Sequence, residues 1–177
     1  MKKIKLYIAV SLDGYIARTD GSLEWIAEMH HTKRADHGFN ELMESVDTVI
    51  MGGKTYHEFI GYQVEWPYKD KTTYVISHHD TNLNETDHVI FLTDDVFKRI
   101  TALKKEEGKD IWLVGGGKLI SMLLNWDLID EMQIYYVPVI LGDGVALFGD
   151  KTNMSKWEVT KCERLGKGVM IWFDRAF

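Results

Sequence analysis

The stretch "DIWLVGGGKLISMLLNW", residues 110–126, packs a strand, a glycine turn and a helix into one short run. "DIWLVG" (110–115) is a brief apolar run that stops at glycine, as a buried strand does. "GKLISMLLNW" (117–126) is short and almost wholly apolar on one side, which is helical patterning. A buried strand feeding directly into a helix is the repeating unit of α/β proteins. The three glycines between them let backbone come close to a bulky anion at the helix N-terminus, where unpaired N–H groups point outward. The run is not the ordinary G-x-G-x-x-G fingerprint, because Ile120 stands where its last glycine belongs. Tight strand–helix packing therefore competes with anion binding as the reason for the glycines.

Working outward, the same alternation fills the chain up to residue 126. Strands are expected at "IKLYIAVSL" (4–12), "DTVIMG" (47–52), "TTYVIS" (72–77) and "HVIFL" (88–92). Helices are expected at "ADHGFNELMESV" (35–46), with Phe39, Leu42, Met43 and Val46 on one face, and at "DDVFKRITALKKEEG" (94–108). The second of these begins with acidic residues and finishes near glycine, as capping and the helix dipole favour. Strand–helix alternation of this kind predicts a largely parallel sheet. The tail differs. "DEMQIYYVPVIL" (130–141) reads as one long strand, and "KWEVTKCERLGKGVMIWFDRAF" reads as two antiparallel strands joined near Gly166-Lys167-Gly168. A three-layer α/β domain spanning 1–177 is expected, its mostly parallel central sheet ending in an antiparallel hairpin.

Composition narrows the function classes. The chain has 177 residues, enough for a single sizeable core, and is 45% hydrophobic and 27% charged. Its net charge of −6, without any block of Lys and Arg, disfavours nucleic acid as a principal partner. Cys162 is the one cysteine, which rules out an internal disulfide and a cysteine metal cluster. Polar Ser11 and Asp13 interrupt the apolar N-terminal run, so a signal peptide is not expected. No run approaches the roughly eighteen apolar residues a membrane span needs. A cytoplasmic protein is the default.

A second glycine junction, "VIMGGKTYHE" (49–58), looks like the end of a nucleoside-triphosphate P-loop. The motif needs another glycine five residues before Gly53, where the chain has Thr48, and strand-like Val49, Ile50 and Met51 leave no loop. The P-loop reading fails, leaving a strand that ends in Gly52-Gly53 and enters a helix. "SLDGYIA" (11–17) and "VILGDGVALF" (139–148) are two more glycine-centred junctions. Three of the four lie at the carboxyl ends of strands, where open α/β sheets bind ligands.

Taken in order, "SLDGYIA", "MGGKTY", "YVIS", "WLVGGGKL" and "DEMQIYYVPVILGDGVALF" resemble the dihydrofolate reductase superfamily. The closest branch is that of the C-terminal reductase domain of the bacterial riboflavin deaminase-reductase and its stand-alone relatives. The resemblance spans residues 4–148, and it implies a dihydrofolate reductase-like fold and an NADPH-dependent reductase. It further implies that Ala9, Val10, Ile16 and Ala17 border the nicotinamide. Gly52, Gly53, Lys54 and Thr55 would approach the pyrophosphate and the adenosine phosphate. Ser77 and His78 would sit beside the adenine ribose, and Val114, Gly115, Gly116, Gly117, Lys118 and Leu119 would close over the pyrophosphate. The family commonly has arginine, a holder of the 2′-phosphate, where this chain has Gly53. Lys54 and His78 are nearby but lack arginine's planar fork, so NADH stays open beside NADPH. The resemblance also implies a homodimer with the terminal strands at or near the contact.

On the substrate side, Asp36 stands fifteen residues before Met51, at the spacing of the carboxylate that dihydrofolate reductases use. It could hold a flat ring with a raised pKa, or simply cap the following helix. Asp13 reads as a turn aspartate before Gly14. Trp25, Phe39, Tyr56, Phe59, Tyr62 and Trp66 are mostly core or interface aromatics, some able to stack on a heterocycle. "EMHHTKRADH" (28–37) carries His30, His31, Lys33, Arg34 and His37, a solvated charged loop in which Lys33 or Arg34 could meet a substrate phosphate. It has no metal spacing, and "HEFIG" lacks the second histidine of H-E-x-x-H, so no metal is expected. The H-x-E…P-C-x-x-C signature of zinc deaminases is missing as well. The expected activity is hydride transfer to a small heterocycle or a ribosylamino-pyrimidine, of the 5-amino-6-(5-phosphoribosylamino)uracil reductase type. Dihydrofolate reduction, and nucleotide binding without turnover, are the alternatives.

Overall fold

A computed structural model describes residues 1–27, 36–61, 66–78 and 88–177. Its centre is an eight-stranded sheet. In chain order the strands and helices are β1 (Ile4–Ser11), β2 (Tyr15–Ala17), α1 (Glu24–Ala27), α2 (Phe39–Ser45), β3 (Val46–Gly52), α3 (Gly53–Gly61), β4 (Thr72–Ile76), β5 (Val89–Leu92), α4 (Val96–Lys105), β6 (Asp110–Gly115), α5 (Gly117–Asn125), β7 (Glu131–Val137), β8 (Val145–Ala146), β9 (Trp157–Leu165) and β10 (Gly168–Arg175). The sheet order is β5-β4-β3-β6-β1-β7-β10-β9, with β2 and β8 forming a separate two-stranded ribbon. All pairings from β5 to β7 are parallel, while β10 runs antiparallel to both β7 and β9.

Side-chain alternation makes the three layers. On one face Ile4, Leu6, Ile50, Ile111 and Leu113 pack under Val96 and Ile100 of α4 and Leu119, Ile120 and Leu123 of α5. On the other, Val49, Met51 and Trp112 meet Leu42 of α2 and Tyr56 of α3. A third cluster, Trp25 with Tyr135, Val137 and Met170, extends that second face toward β10. Parallel strands covered on both sides read as near-continuous apolar runs, which is why they were legible in the sequence. Among the described residues no helix is long and apolar enough to cross a membrane.

Three elements are shorter than their patterns predict by more than one residue. The helix expected over 35–46 starts at Phe39, because His37 and Gly38 hold positive φ of 51° and 76°. It ends before Val46, whose extended backbone opens β3. The helix expected from 94 starts at Val96, since Asp95 has φ 46°. The long strand expected over 130–141 stops at Val137. Pro138 has no N–H to donate, and Val139 N–H turns back onto the Val137 carbonyl at 2.7 Å.

Candidate active site

The strand register brings the glycine junctions together. Gly52 lies beside Ile76 in the β3–β4 pair, and Met51 lies beside Gly115 in the β3–β6 pair. Gly52-Gly53, Ser77-His78 and Gly115–Gly117 therefore line one carboxyl edge of the sheet. A side chain placed on Gly52 would have only the Gly115 carbonyl near it, at 4.0 Å, and one on Gly116 would face the Thr55 hydroxyl at 3.7 Å. A side chain at either glycine would thus meet backbone, the Thr55 hydroxyl and the Leu119 Cβ as its nearest neighbours. α3 and α5 both begin there, and the first-turn N–H groups of a helix lack intrahelical partners and favour negative charge. Gly116 has φ 102°, a conformation costly for residues with a Cβ.

The ribbon closes a second side. A Cβ on Gly117 would fall 2.5 Å from the Ala146 carbonyl, so β8 presses directly on the start of α5. β8 pairs with β2 (Tyr15 with Ala146, Ala17 with Val145), and Leu147 N–H donates to the Gly14 carbonyl at 2.9 Å. Asp13 anchors the arrangement. Its carboxylate accepts the Ser11 hydroxyl at 2.6 Å and the N–H groups of Leu141 and Gly142 at 3.1 and 2.7 Å. The Ser11 hydrogen bond first, and the two N–H groups after it, hold the carboxyl below its ordinary range against the opposing effect of burial. Asp13 lies in a turn closed by Gly14 N–H on the Ser11 carbonyl at 3.0 Å, but its carboxylate serves as a tie to the distant loop 139–142, which the turn reading does not foresee.

Most of the cofactor residues named from the resemblance meet at this crevice, with distinctions. Gly52, Gly53, Thr55, Ser77 and Val114 to Lys118 lie at or beside the edge, and Ala9, Ile16 and Ala17 belong to the neighbouring strand and ribbon. The side chains of Val10 and Leu119 are turned into the core, at 1% and 6% exposure, so only their backbone can border a ligand. Lys54 reaches sideways. Its ammonium lies 3.9 Å, and the Glu58 carboxylate 3.2 Å, from where a Cβ on Gly21 would sit, in the turn after β2. His78 is exposed and lines a pocket of about 370 Å³ between the start of α4 and the end of α5.

Across the sheet lies a group that sequence reading missed. The Tyr7 hydroxyl donates to the His37 carbonyl at 3.0 Å, and the His37 ring stacks on Tyr135 with centroids 4.5 Å apart. Burial first, then the charge of Asp36 and the neighbouring Tyr135, pushes the Tyr7 hydroxyl up to about 12. Asp36 itself is exposed, and its carboxylate accepts Gly38 N–H at 3.1 Å and Asn40 N–H at 3.0 Å. It holds the start of α2, the capping half of its predicted alternatives. The β1–β7 register sets Ala9 beside Tyr135; only that pairing, invisible in one strand's alternation, brings Tyr7 and Tyr135 into one group. Trp25, Tyr56, Phe59 and Trp66 pack in the core clusters, and Phe39 sits edge-on to Trp112 at 5.4 Å. His30, His31, Lys33, Arg34 and Tyr62 lie outside the described residues. Among the described residues no three His, Cys, Asp or Glu side chains are grouped to hold a metal.

A mostly parallel sheet with a terminal antiparallel hairpin and a glycine-lined crevice at its carboxyl edge defines the dihydrofolate reductase-like class of α/β proteins. The family model of the RibD C-terminal domain matches residues 2–171, and the chain belongs to that family. An uncharacterized Bacillus subtilis protein, YwjB, is 37% identical over 99% of both chains. A crystal structure from Shewanella sp. PV-4, provisionally assigned to riboflavin biosynthesis, superposes with TM-score 0.88 at 32% identity, covering 99% of each chain. The deaminase-reductase from Thermotoga maritima shares the fold, with TM-score 0.72 and 17% identity over 99% of this chain and 57% of that one.

Proposed function

We propose that the protein is a reductase that delivers hydride from a reduced nicotinamide dinucleotide to a flat heterocycle or a ribosylamino-pyrimidine. The observation that carries this reading is the meeting of two glycine-to-helix junctions at one edge of the sheet. A pyrophosphate needs paired sets of N–H donors and no side chain in its way, and α3 and α5 supply both. The adenosine end would then lie over Ser77 and His78, and the nicotinamide end between β1 and the β2–β8 ribbon. A 2,5-diamino-6-ribosylamino-4(3H)-pyrimidinone 5′-phosphate reductase from Archaeoglobus fulgidus is 32% identical over 39% of this chain and 32% of its own length, which supports the substrate class.

The bound dinucleotide supplies the hydride. What the protein contributes is alignment and exclusion of water. The Asp13 tie fixes loop 139–142 against the end of β1, and the ribbon covers the start of α5. On the other side of β1, Tyr7, His37 and Tyr135 pack together, His37 and Tyr135 buried and only Tyr7 partly exposed to border a flat substrate. Following dinucleotide oxidation with the phosphoribosylamino-pyrimidine and with dihydrofolate tests the reading. Turnover with the former is expected. Binding of the dinucleotides without turnover of either substrate would leave a nucleotide-binding protein, and failure to bind either dinucleotide would sink the proposal.

A further inference from the structure

Resting on the dinucleotide reading above, we propose that the adenosine end of the crevice selects a ribose with a free 2′-hydroxyl, and so NADH over NADPH, through Asp94 and Asp95. The pocket beside His78 has an apolar floor of Phe97, Met122 and Trp126, with the Phe97 and Trp126 rings edge-to-face at 5.4 Å. Such a floor suits the face of a purine. Besides Val96, the pocket's remaining lining is polar or charged: Asp94, Asp95, Lys98 and His78. Asp95 sits at the N-cap of α4 in the left-handed region and makes no side-chain cap hydrogen bond, so its helix does not occupy its carboxylate.

A ribose 2′-phosphate brings close to two negative charges and is held best by a planar guanidinium. Among the described residues no arginine lines the pocket. From β4 to the start of α4 the described residues, 72–78 and 88–95, carry no Lys or Arg and two acids, Asp94 and Asp95; Lys98 and Arg99 follow in the first turn of α4. Lys54, the cation of the neighbouring glycine junction, extends toward Glu58 and Gly21, in the turn after β2. Lys98 is the one ammonium among the pocket's described lining residues, against two carboxylates. Carboxylates at this place repel a phosphate, whereas a carboxylate is the group with which dinucleotide folds accept a ribose 2′-hydroxyl. The charge arrangement discriminates between two cofactors that share every other contact.

Isothermal titration of the full chain with NADH, NADPH, AMP and adenosine 2′,5′-bisphosphate, all in one low-salt buffer, tests this. NADH is expected to bind about tenfold or more tightly than NADPH, with AMP preferred to the bisphosphate in the same sense. In Asp94→Asn/Asp95→Asn the ratio should narrow, chiefly through better NADPH binding. Asparagine tolerates the left-handed backbone at 95, and a circular dichroism spectrum and thermal midpoint matching the parent report an intact fold. NADPH binding as tightly as NADH, or more tightly, overturns the selection while leaving the dinucleotide reading standing. An unchanged ratio in the double variant removes Asp94 and Asp95 from it. Binding of neither dinucleotide overturns both.

Discussion

At Asp36 a helix-start tie and a proposed substrate contact would share one carboxylate, and substitution separates them. Its oxygens hold the N–H groups of Gly38 and Asn40. Asp36→Ala removes that support and should cost about 1 kcal/mol in denaturant unfolding. Asp36→Asn keeps an acceptor, so stability should hold within a few tenths of a kcal/mol; a large loss of turnover in this variant alone would show that the charge serves the substrate. Tyr7 and Tyr68 give a second test. Both hydroxyls are raised from 10.0 to about 12, Tyr68 by burial and Tyr7 by burial reinforced by Asp36 and Tyr135. The native chain therefore keeps protons that the unfolded chain releases, so the stabilisation is full below the unfolded value of about 10 and is lost as pH rises toward 12. Thermal scans across that range should show a steep alkaline fall, and Tyr68→Phe should flatten it. A profile unchanged by the substitution contradicts the assignment. At this scale the glycines of the crevice were legible as strand-to-helix junctions, though spacing alone did not separate tight packing from anion binding, and Gly117 is in fact pressed by the Ala146 carbonyl. The Tyr7–His37–Tyr135 group was not, since stacking depends on which strands pair.

Among the elements, the contact of β8 with α5 is the most exacting. Gly117→Ala would set a methyl carbon 2.5 Å from the Ala146 carbonyl. The ribbon would have to move, at a cost of roughly 1–3 kcal/mol as overpacking goes, and dinucleotide affinity should fall with it. Unfolding and binding titrations on the same preparation check both effects, and a variant as stable as the parent would show that the ribbon yields freely. Gly52→Ala is the control, because a side chain there meets only the Gly115 carbonyl, at ordinary contact distance. It should leave stability nearly unchanged yet intrude on the crevice. Length decided which elements could be read ahead of the structure. β6 matches its predicted bounds at both ends, since its apolar run is bracketed by Asp110 and glycine. β2, α1 and β8 span three, four and two residues and are too short to show any period.

For the molecule as a whole, the sheet order was the illegible part. Alternation foretold parallel strands, but not that β6 inserts between β3 and β1. That insertion makes the crevice, because it sets Gly115 next to Met51. At the far edge, β9 is exposed along almost its entire length, with Val159 56% exposed and the Lys161 ammonium 4.4 Å above the Trp172 ring. An edge strand of nine residues presents unpaired backbone groups. We propose that a second copy covers it in a homodimer. Light scattering should give twice the 20.5 kDa chain mass, and Val159→Glu should return it to the monomer value; a monomeric parent at micromolar concentration ends the idea. The order of synthesis adds a further consequence of the central position of β1. It is made before both its neighbours, at residues 111–113 and 131–137, which follow it in the chain by more than a hundred residues. Contacts so distant in sequence form slowly, and a chain truncated before β7 would lack one neighbour of β1 and leave its sheet open at that edge.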